Sequence, residues 1–314
     1  MLKLKQDQQG LWSVPGLCAL DFSGQVVLDR TSLPHSAKEI YYGRGVGRKQ
    51  LVETIGRISS HALVVVGHSS SKTPIMQELL SELKQTTANI HLYQVHGHAD
   101  HQAIRGGIEA LQQTRADHLI VIGGGTTLDV GKAIAGLARQ EGGIEVAPFQ
   151  TGERKLDPAK ALPWLAVPTT SGTGSESTNN AVIELGEEKR SIRNIPPPTM
   201  IVTDPSFTDS LPLTSTVISL VDAIAQSLEV LTHEKATPEG QAIALAALLN
   251  LVQGMRGLIQ ETRNAPGTSA VSQWIRDSLS WGSLLMGIAF AHAGLGLPHA
   301  LVHFCNKFGL AHGH

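Results

Sequence analysis

Three consecutive glycines follow a buried apolar run and lead into a helical segment. Residues 121–132 read Val-Ile-Gly-Gly-Gly-Thr-Thr-Leu-Asp-Val-Gly-Lys. Glycines let the backbone approach a pyrophosphate closely, and the N–H groups and dipole at the start of a helix favour an anion. The spacing matches neither GxGxxG nor GxxxxGK[ST], so a simple tight turn explains the same residues equally well. The motif therefore indicates a candidate phosphate site and leaves the turn open as the alternative.

A second loop of small, hydroxylated residues follows a later strand-like run. Residues 166–176 read Ala-Val-Pro-Thr-Thr-Ser-Gly-Thr-Gly-Ser-Glu. Such residues supply hydrogen-bond donors and leave room for a ligand, because no bulky side chain obstructs the loop. A flexible connecting loop is the competing interpretation.

A third group of residues, in the C-terminal part of the chain, has the spacing of metal ligands. Asp222 and Gln226 are four residues apart, as are His299 and His303, and His312 follows near the end. Residues at this spacing share one face of a helix, so each pair is expected to point into one cavity. The chain contains 14 histidines, however, and an incidental or structural pair of histidines explains the second spacing as well.

The secondary structure predicted around these motifs divides the chain in two. Residues 1–36 are expected to be irregular, with apolar alternation only near residues 26–28. Predicted strands cover residues 39–43, 62–66, 90–95, 118–122, 164–167, 181–185 and 200–203. Predicted helices cover residues 51–58, 74–83 and 103–113. This alternation is typical of a doubly wound, mostly parallel sheet, because the crossover helices must cover both of its faces.

Beyond Asp204 the pattern becomes helical. Apolar residues recur there at three- and four-residue intervals, which predicts helices over residues 214–231, 238–258 and 271–290. A charged turn is expected at residues 187–190, between two of the predicted strands. We therefore predict an α/β domain over residues 1–204 and an all-α domain over residues 205–314.

Composition excludes several classes of protein. The chain has 314 residues, 41% of them hydrophobic, and a formal charge of −2, which predicts a folded chain with no field for a polyanion or an anionic membrane. Neither nucleic acid nor a membrane is expected as a partner. The two cysteines are too few for a disulfide framework, and no signal-peptide run follows Met1, so a cytoplasmic location is expected.

Taken together, the motifs resemble the iron-dependent, or group III, alcohol dehydrogenase family, which is related more distantly to glycerol dehydrogenase and dehydroquinate synthase. The matching stretches occur in family order at residues 123–132, 168–176, 204–205, 211–212, 222–229, 287–290, 294–300 and 312–313. The resemblance implies a dehydroquinate synthase-like fold with an NAD(P)-binding α/β domain, a helical domain that holds Fe²⁺ or Zn²⁺, and catalysis in the cleft between them.

The resemblance also implies roles for individual residues. Cofactor-binding positions are Gly67, Ser69, Gly123, Gly124, Gly125, Thr126, Thr127, Asp129, Thr169, Thr170 and Thr173. Metal-ligand positions are Asp222, Gln226, His299 and His312. His303 falls on a histidine that the family is thought to use in proton transfer.

One ligand position departs from the family. Where the family normally has a histidine, this chain has Gln226, whose neutral amide oxygen is a weaker ligand for Fe²⁺ or Zn²⁺ than imidazole. Asp222, His299 and His312 would still form an open catalytic site of the zinc type. We therefore expect metal binding to be retained but weakened.

The cofactor preference rests on a second departure. Family members that prefer NAD carry an aspartate after the strand that corresponds to residues 62–66, and Gly67 occupies that position here. No carboxylate repels a 2′-phosphate, and the hydroxyls of residues 69–71 together with Lys72 are expected to bind one. The sequence therefore favours NADP over NAD.

The chain stops at His314, whereas family members continue through further helices, so the helical domain is expected to be incomplete relative to the family. A truncated gene, a short family member and a fragment are left open as explanations. Few charges in the helical half favour a homodimer, although burial in the core explains the same pattern.

The function expected from the resemblance is NAD(P)-dependent, metal-assisted hydride transfer between a small alcohol and an aldehyde or ketone. The alternative is a catalytically impaired pseudoenzyme that retains nucleotide binding, which Gln226 and the incomplete helical domain motivate.

Overall fold

A parallel sheet and a layer of long helices make up most of the described chain. The computed structural model describes residues 3–86, 89–265, 267, 270–293, 296, 299 and 301. The strands are β1 Lys5–Gln6, β2 Trp12–Ser13, β3 Cys18–Leu20, β4 Val26–Leu28, β5 Glu39–Tyr42, β6 His61–Gly67, β7 Asn89–Val95, β8 His118–Gly123, β9 Trp164–Pro168, β10 Ala181–Leu185, β11 Glu188–Ile192 and β12 Met200–Thr203. The helices are α1 Val46–Ile58, α2 Pro74–Leu83, α3 His101–Thr114, α4 Gly125–Leu137, α5 Ala147–Thr151, α6 Leu213–Thr232, α7 Pro238–Asn264 and α8 Gln273–Ala291.

The six-stranded sheet has the order β5-β12-β9-β8-β6-β7, and its neighbouring strands are parallel. Its central strands are continuous apolar runs because both faces are covered by helices. Leu63 and Val65 of β6 belong to the cluster that contains Ile104 of α3. Val64 and Val66 belong to the cluster that contains Leu51 of α1. The predicted doubly wound, mostly parallel α/β fold is confirmed.

The carboxyl ends of β6, β8 and β9 meet at one edge of the sheet. β8 lies between β6 and β9, and the register pairs Gly123 with Pro168. The two loops that the sequence analysis singled out therefore start side by side, at the edge where open parallel sheets bind ligands.

The first 36 residues are more ordered than the sequence indicated. They contain the antiparallel pairs β1–β2 and β3–β4. Asn250 of α7 accepts a hydrogen bond from the backbone N–H of Trp12 at 2.9 Å, and Trp281 of α8 donates its indole N–H to the backbone oxygen of Trp12 at 2.8 Å. The expectation of an irregular segment was wrong because strands of two or three residues carry no periodic signal and are fixed by contacts with distant helices.

The expected charged turn at residues 187–190 is largely a strand. β11 pairs antiparallel with β10, and the turn between them lies at Gly186, whose φ is +64°. Only Ile192 of β11 is fully buried, so the charged side chains concealed the strand pattern.

The helices α6, α7 and α8 form the second layer and pack on one another. By length and composition α6 and α7 resemble membrane-spanning helices, a property that they share with the core helices of many soluble proteins. The end of α7 lies at Asn264, beyond the predicted end at residue 258.

Candidate functional site

A cavity of about 1500 Å³ lies between the carboxyl edge of the sheet and helix α6. All the predicted cofactor positions except Gly123 line it; they are Gly67, Ser69, Gly124, Gly125, Thr126, Thr127, Asp129, Thr169, Thr170 and Thr173. Asp222, Gln226 and His299 line the same cavity from the helical side. The fold therefore brings two groups of predicted residues together that lie far apart in the sequence.

The three glycines after β8 are required by their contacts with threonines. A Cβ on Gly123 would lie 2.5 Å from the Cβ of Thr127. A Cβ on Gly125 would lie 2.8 Å from Cγ2 of Thr173, and a Cβ on Gly124 would lie 3.0 Å from Cγ2 of Thr170; both threonines belong to the second loop. Larger residues are thus excluded at Gly123 by α4 and at Gly124 and Gly125 by the second loop. The backbone at the start of α4 remains accessible from the cavity.

The start of α4 offers backbone donors to an anion. Its N-terminal capping residue, Gly124, has an extended conformation and provides no side-chain hydrogen bond to the first turn. The first N–H groups of a helix have no partner within the helix, and the dipole places partial positive charge there. This arrangement suits a phosphate group bound against residues 124–127.

Asp129 also has a structural role. Its Oδ1 accepts a hydrogen bond from Oγ of Ser175 at 2.6 Å, and its Oδ2 accepts one from the backbone N–H of Val182 at 3.1 Å. The fully buried Nζ of Lys132 lies 3.3 Å from Oδ1 and donates to the backbone oxygen of Asn180 at 2.6 Å. Burial lowers the pKa of Lys132, and Asp129 opposes that shift. The carboxylate therefore ties the second loop and β10 to α4.

The cluster on α6 is built around Asp222. Nε2 of Gln226 donates to Oδ2 of Asp222 at 3.1 Å, and Nε2 of His299 lies 3.2 Å from Oδ1. Oε1 of Gln226 is buried and has no hydrogen-bond partner in the part of the chain that the structure describes. An oxygen, a carboxylate and an imidazole nitrogen are thus brought to one end of the cavity.

A further carboxylate contacts the other side of the imidazole. Glu229 hydrogen-bonds to Nδ1 of His299 and accepts a hydrogen bond from the backbone N–H of Gly296 at 2.7 Å. Burial lowers the pKa of His299, but hydrogen bonds to Asp222 and Glu229 outweigh it, so the pKa lies above its ordinary value.

The donor set at this end of the cavity fits a divalent ion. Ligand bonds of about 2.0–2.2 Å in a tetrahedral site place the ligand atoms roughly 3.3 Å apart, close to the 3.2 Å between Nε2 of His299 and Oδ1 of Asp222. The unpaired Oε1 of Gln226 supplies a further oxygen. Within the described residues no three His, Cys, Asp or Glu side chains form a metal-binding group, so the amide oxygen of Gln226 is the further candidate ligand atom there. His303 and His312 lie outside the described residues.

Two expectations about the site change. Lys72 is exposed and is not among the residues that line the cavity, so the described geometry gives it no contact with a bound cofactor. Ser70 does line the cavity, and its Oγ lies 3.0 Å from Oγ1 of Thr169. The sequence analysis also assigned no role to Glu229, although its position three residues after Gln226 places it on the same helical face.

The chain is similar in sequence to known proteins. A family model described as iron-containing alcohol dehydrogenase matches residues 37–205. Long-chain-alcohol dehydrogenase 1 of Geobacillus thermodenitrificans is 29% identical over 268 residues, 84% of this chain and 66% of that protein. Alcohol dehydrogenase 4 of Schizosaccharomyces pombe is 27% identical over 81% of this chain and 58% of its own length. NAD-dependent methanol dehydrogenase of Bacillus methanolicus is 26% identical over 85% of this chain and 72% of its own length.

Solved structures give the same result for the fold. The crystal structure of an iron-containing alcohol dehydrogenase matches with a TM-score of 0.76 and 25% identity, over 88% of this chain and 74% of that one. An iron-containing alcohol dehydrogenase from Thermotoga maritima matches with a TM-score of 0.75, 25% identity and the same coverage. In sequence, this chain spans about two thirds or less of the first two relatives, at 66% and 58% of their lengths.

Proposed function

This chain belongs to the iron-containing alcohol dehydrogenase family, and we propose that it is an NAD(P)-dependent oxidoreductase that interconverts a small alcohol and an aldehyde or ketone. One observation carries the proposal: a single cavity joins the glycine and threonine loops at the sheet edge to the cluster of Asp222, Gln226 and His299. A nucleotide cofactor on one side and an ion on the other would then meet at a substrate between them.

The sheet side of the cavity holds the cofactor in this proposal. The backbone N–H groups at the start of α4 bind the pyrophosphate, and the hydroxyls of Thr169, Thr170 and Thr173 line the path of the dinucleotide. The nicotinamide supplies or accepts the hydride. Close contacts of Gly124 and Gly125 with the threonines of the second loop hold the two loops against each other beside this site.

Asp222, Gln226 and His299 would hold the divalent ion, Fe²⁺ or Zn²⁺, and His312 would be a further ligand. When bound there, the ion acts as a Lewis acid toward the oxygen of the alcohol or carbonyl group. Asp222 contributes the negative charge, Gln226 a neutral oxygen and His299 the imidazole. Because the amide is the weakest of these ligands, we propose that affinity for the ion is reduced. His303 is the proposed residue for proton exchange with solvent.

We propose NADP as the preferred cofactor. Gly67 ends β6 at the cavity, and a Cβ there would lie 2.8 Å from Oγ1 of Thr127. Because glycine has no side chain, position 67 carries no carboxylate to repel a 2′-phosphate. Ser69 and Ser70 line the cavity beside it and supply hydroxyl donors. The opposite result, equal or tighter binding of NADH, would assign the chain to NAD, the cofactor for which the methanol dehydrogenase relative is named.

The other expectations from the sequence stay predictions. They are the domain boundary between residues 204 and 205, a cytoplasmic location, a homodimer, and the lack of a nucleic-acid or membrane partner. A pseudoenzyme that binds nucleotide without turnover stays the second candidate, because Gln226 occupies a ligand position.

The test is oxidation of NADPH by the purified 314-residue chain against short and aromatic aldehydes, with added Zn²⁺ or Fe²⁺ and with a chelator. The matched control is Asp222→Asn, which keeps the shape of the side chain but removes its charge. We expect turnover that needs the ion and that this variant lacks. A folded chain that binds NADPH but shows no turnover under any of these conditions would instead support the pseudoenzyme.

A further inference from the structure

We propose that Glu229 is a positioning residue that fixes the orientation of His299 and holds the backbone N–H of Gly296. The proposed function supplies the identity of the ion that His299 would bind, whereas the contacts of Glu229 stand without it. Glu229 is 9% exposed and lies on α6, on the same helical face as Asp222 and Gln226.

Both carboxylate oxygens of Glu229 are used. Oε1 pairs with Nδ1 of His299, and Oε2 accepts from the backbone N–H of Gly296 at 2.7 Å. The carboxylate thus spans two points of one segment, three residues apart. These two contacts join Glu229 of α6 to residues that are 67 and 70 positions further along the chain.

The contact with Glu229 determines which nitrogen of His299 faces Asp222. An ionised carboxylate only accepts hydrogen bonds, so Nδ1 must carry the hydrogen in this contact. Nε2, on the opposite side of the ring, then faces Oδ1 of Asp222 at 3.2 Å. Carboxylates in this position orient ligand histidines and increase their basicity, and their loss typically costs 10- to 100-fold in metal affinity.

An isosteric glutamine cannot replace Glu229. A glutamine offers one acceptor oxygen and one NH₂ donor, whereas Nδ1–H of His299 and the N–H of Gly296 are both donors. In Glu229→Gln one of the two contacts is therefore lost and replaced by two facing donors. Glu229→Asp keeps the charge and both acceptors but is one methylene shorter, so it separates loss of reach from loss of charge.

The experiment measures ion affinity and backbone protection separately on the full chain. Co²⁺ is titrated into the wild type, Glu229→Gln, Glu229→Asp and the control Glu234→Gln, with the visible d–d absorption as the signal and a chelator as competitor. Glu234 is exposed just beyond the end of α6, so its variant makes the same charge change away from the cavity. Amide hydrogen exchange at Gly296 is measured by NMR on the ion-free proteins, and circular dichroism checks the fold.

We expect Glu229→Gln to bind Co²⁺ about 10- to 100-fold more weakly, with a changed d–d spectrum and faster exchange at Gly296. Glu229→Asp should also weaken binding, and Glu234→Gln should match the wild type. Wild-type affinity, spectrum and exchange in Glu229→Gln would overturn the assignment. If the wild type binds no Co²⁺, the metal part of the proposed function fails. In that case exchange at Gly296 decides the role of Glu229: faster exchange in Glu229→Gln upholds it, and unchanged exchange overturns it.

Discussion

Gly174, in the loop after β9, touches Gly287 of α8 backbone to backbone. A Cβ on Gly174 would lie 2.6 Å from Cα of Gly287, and a Cβ on Gly287 would lie 2.9 Å from Cα of Gly174. Gly174 also has a φ of +60°, in the left-handed region that favours glycine. The loop with the proposed cofactor threonines is therefore held directly against the helical layer, with no side chain between them.

Replacing Gly287 with alanine tests this contact. The added methyl has no space to occupy, so we expect Gly287→Ala to lower the free energy of unfolding by about 1–3 kcal/mol, the usual cost of overpacking. Because the loop must move, affinity for NADPH should fall as well. Urea unfolding and NADPH fluorescence titration measure the two effects. The control is Gly240→Ala in the first turn of α7, where the new Cβ would have its nearest neighbour at 3.5 Å; equal results for both variants would contradict the prediction.

Restoring a stronger ligand at position 226 should strengthen ion binding. The amide of Gln226 gives one buried oxygen without a hydrogen-bond partner among the described residues, and imidazole is a better ligand for Zn²⁺ or Fe²⁺. We expect Gln226→His to lower the Kd for Zn²⁺ by about tenfold or more, which corresponds to about 1.4 kcal/mol. Competition with a chelating dye measures the change.

The comparison with Gln226→Leu distinguishes a ligand from a packing residue. Leucine is similar in size but has no oxygen, so it should bind Zn²⁺ more weakly than the wild type. Equal affinity of the wild type and the leucine variant would show that the amide oxygen takes no part in ion binding.

The cofactor preference can be tested at Gly67 with a matched pair of variants. Both Gly67→Asp and Gly67→Ala introduce the Cβ that approaches Oγ1 of Thr127 to 2.8 Å, but only the aspartate adds charge beside a 2′-phosphate. We therefore expect the ratio of the Kd values for NADPH and NADH to rise about tenfold from alanine to aspartate, a difference of about 1.4 kcal/mol. An unchanged ratio would mean that the 2′-phosphate does not lie near residue 67.

Local signals predicted most of the sheet and helices. Helix α2 was expected at residues 74–83 and is observed there, because a proline at its first turn and a regular apolar face mark it clearly. The sequence contained no sign of β1 to β3, and it showed only an apolar alternation at the position of β4. The ordering of this segment depends on contacts such as that between Trp12 and Asn250, which join residues more than 200 positions apart.

In the candidate site, too, local spacing was predictable from the sequence and contacts between distant segments were not. The spacing of Asp222 and Gln226 was enough to place both in one cavity, because it is a property of a single helix. The role of Glu229 was invisible, since its partners Gly296 and His299 come from a distant segment. The glycines after β8 were expected to make room for a ligand, and the sequence did not indicate that Thr127 and Thr173 fill the adjacent space.

A pH-dependent loss of stability is expected from Glu176, which is 3% exposed in the loop after β9. Burial raises its pKa from 4.5 to about 7, with its own backbone N–H and Lys132 offsetting part of the shift. Between pH 4.5 and 7 the folded chain therefore binds a proton that the unfolded chain has lost, so stability decreases as pH rises through this window and then levels off. At about 1.4 kcal/mol per pKa unit, the total loss is about 3 kcal/mol.

Glu176→Gln removes this titration while keeping the size of the side chain. Its free energy of unfolding should therefore gain about 2.5 kcal/mol relative to the wild type between pH 5 and pH 8, as measured by urea unfolding at both values. The exposed Glu234→Gln controls for the loss of one carboxylate and should show no such gain. A constant difference between Glu176→Gln and the wild type across this range would mean that Glu176 is already ionised in the folded chain at pH 5, with Lys132 compensating its burial.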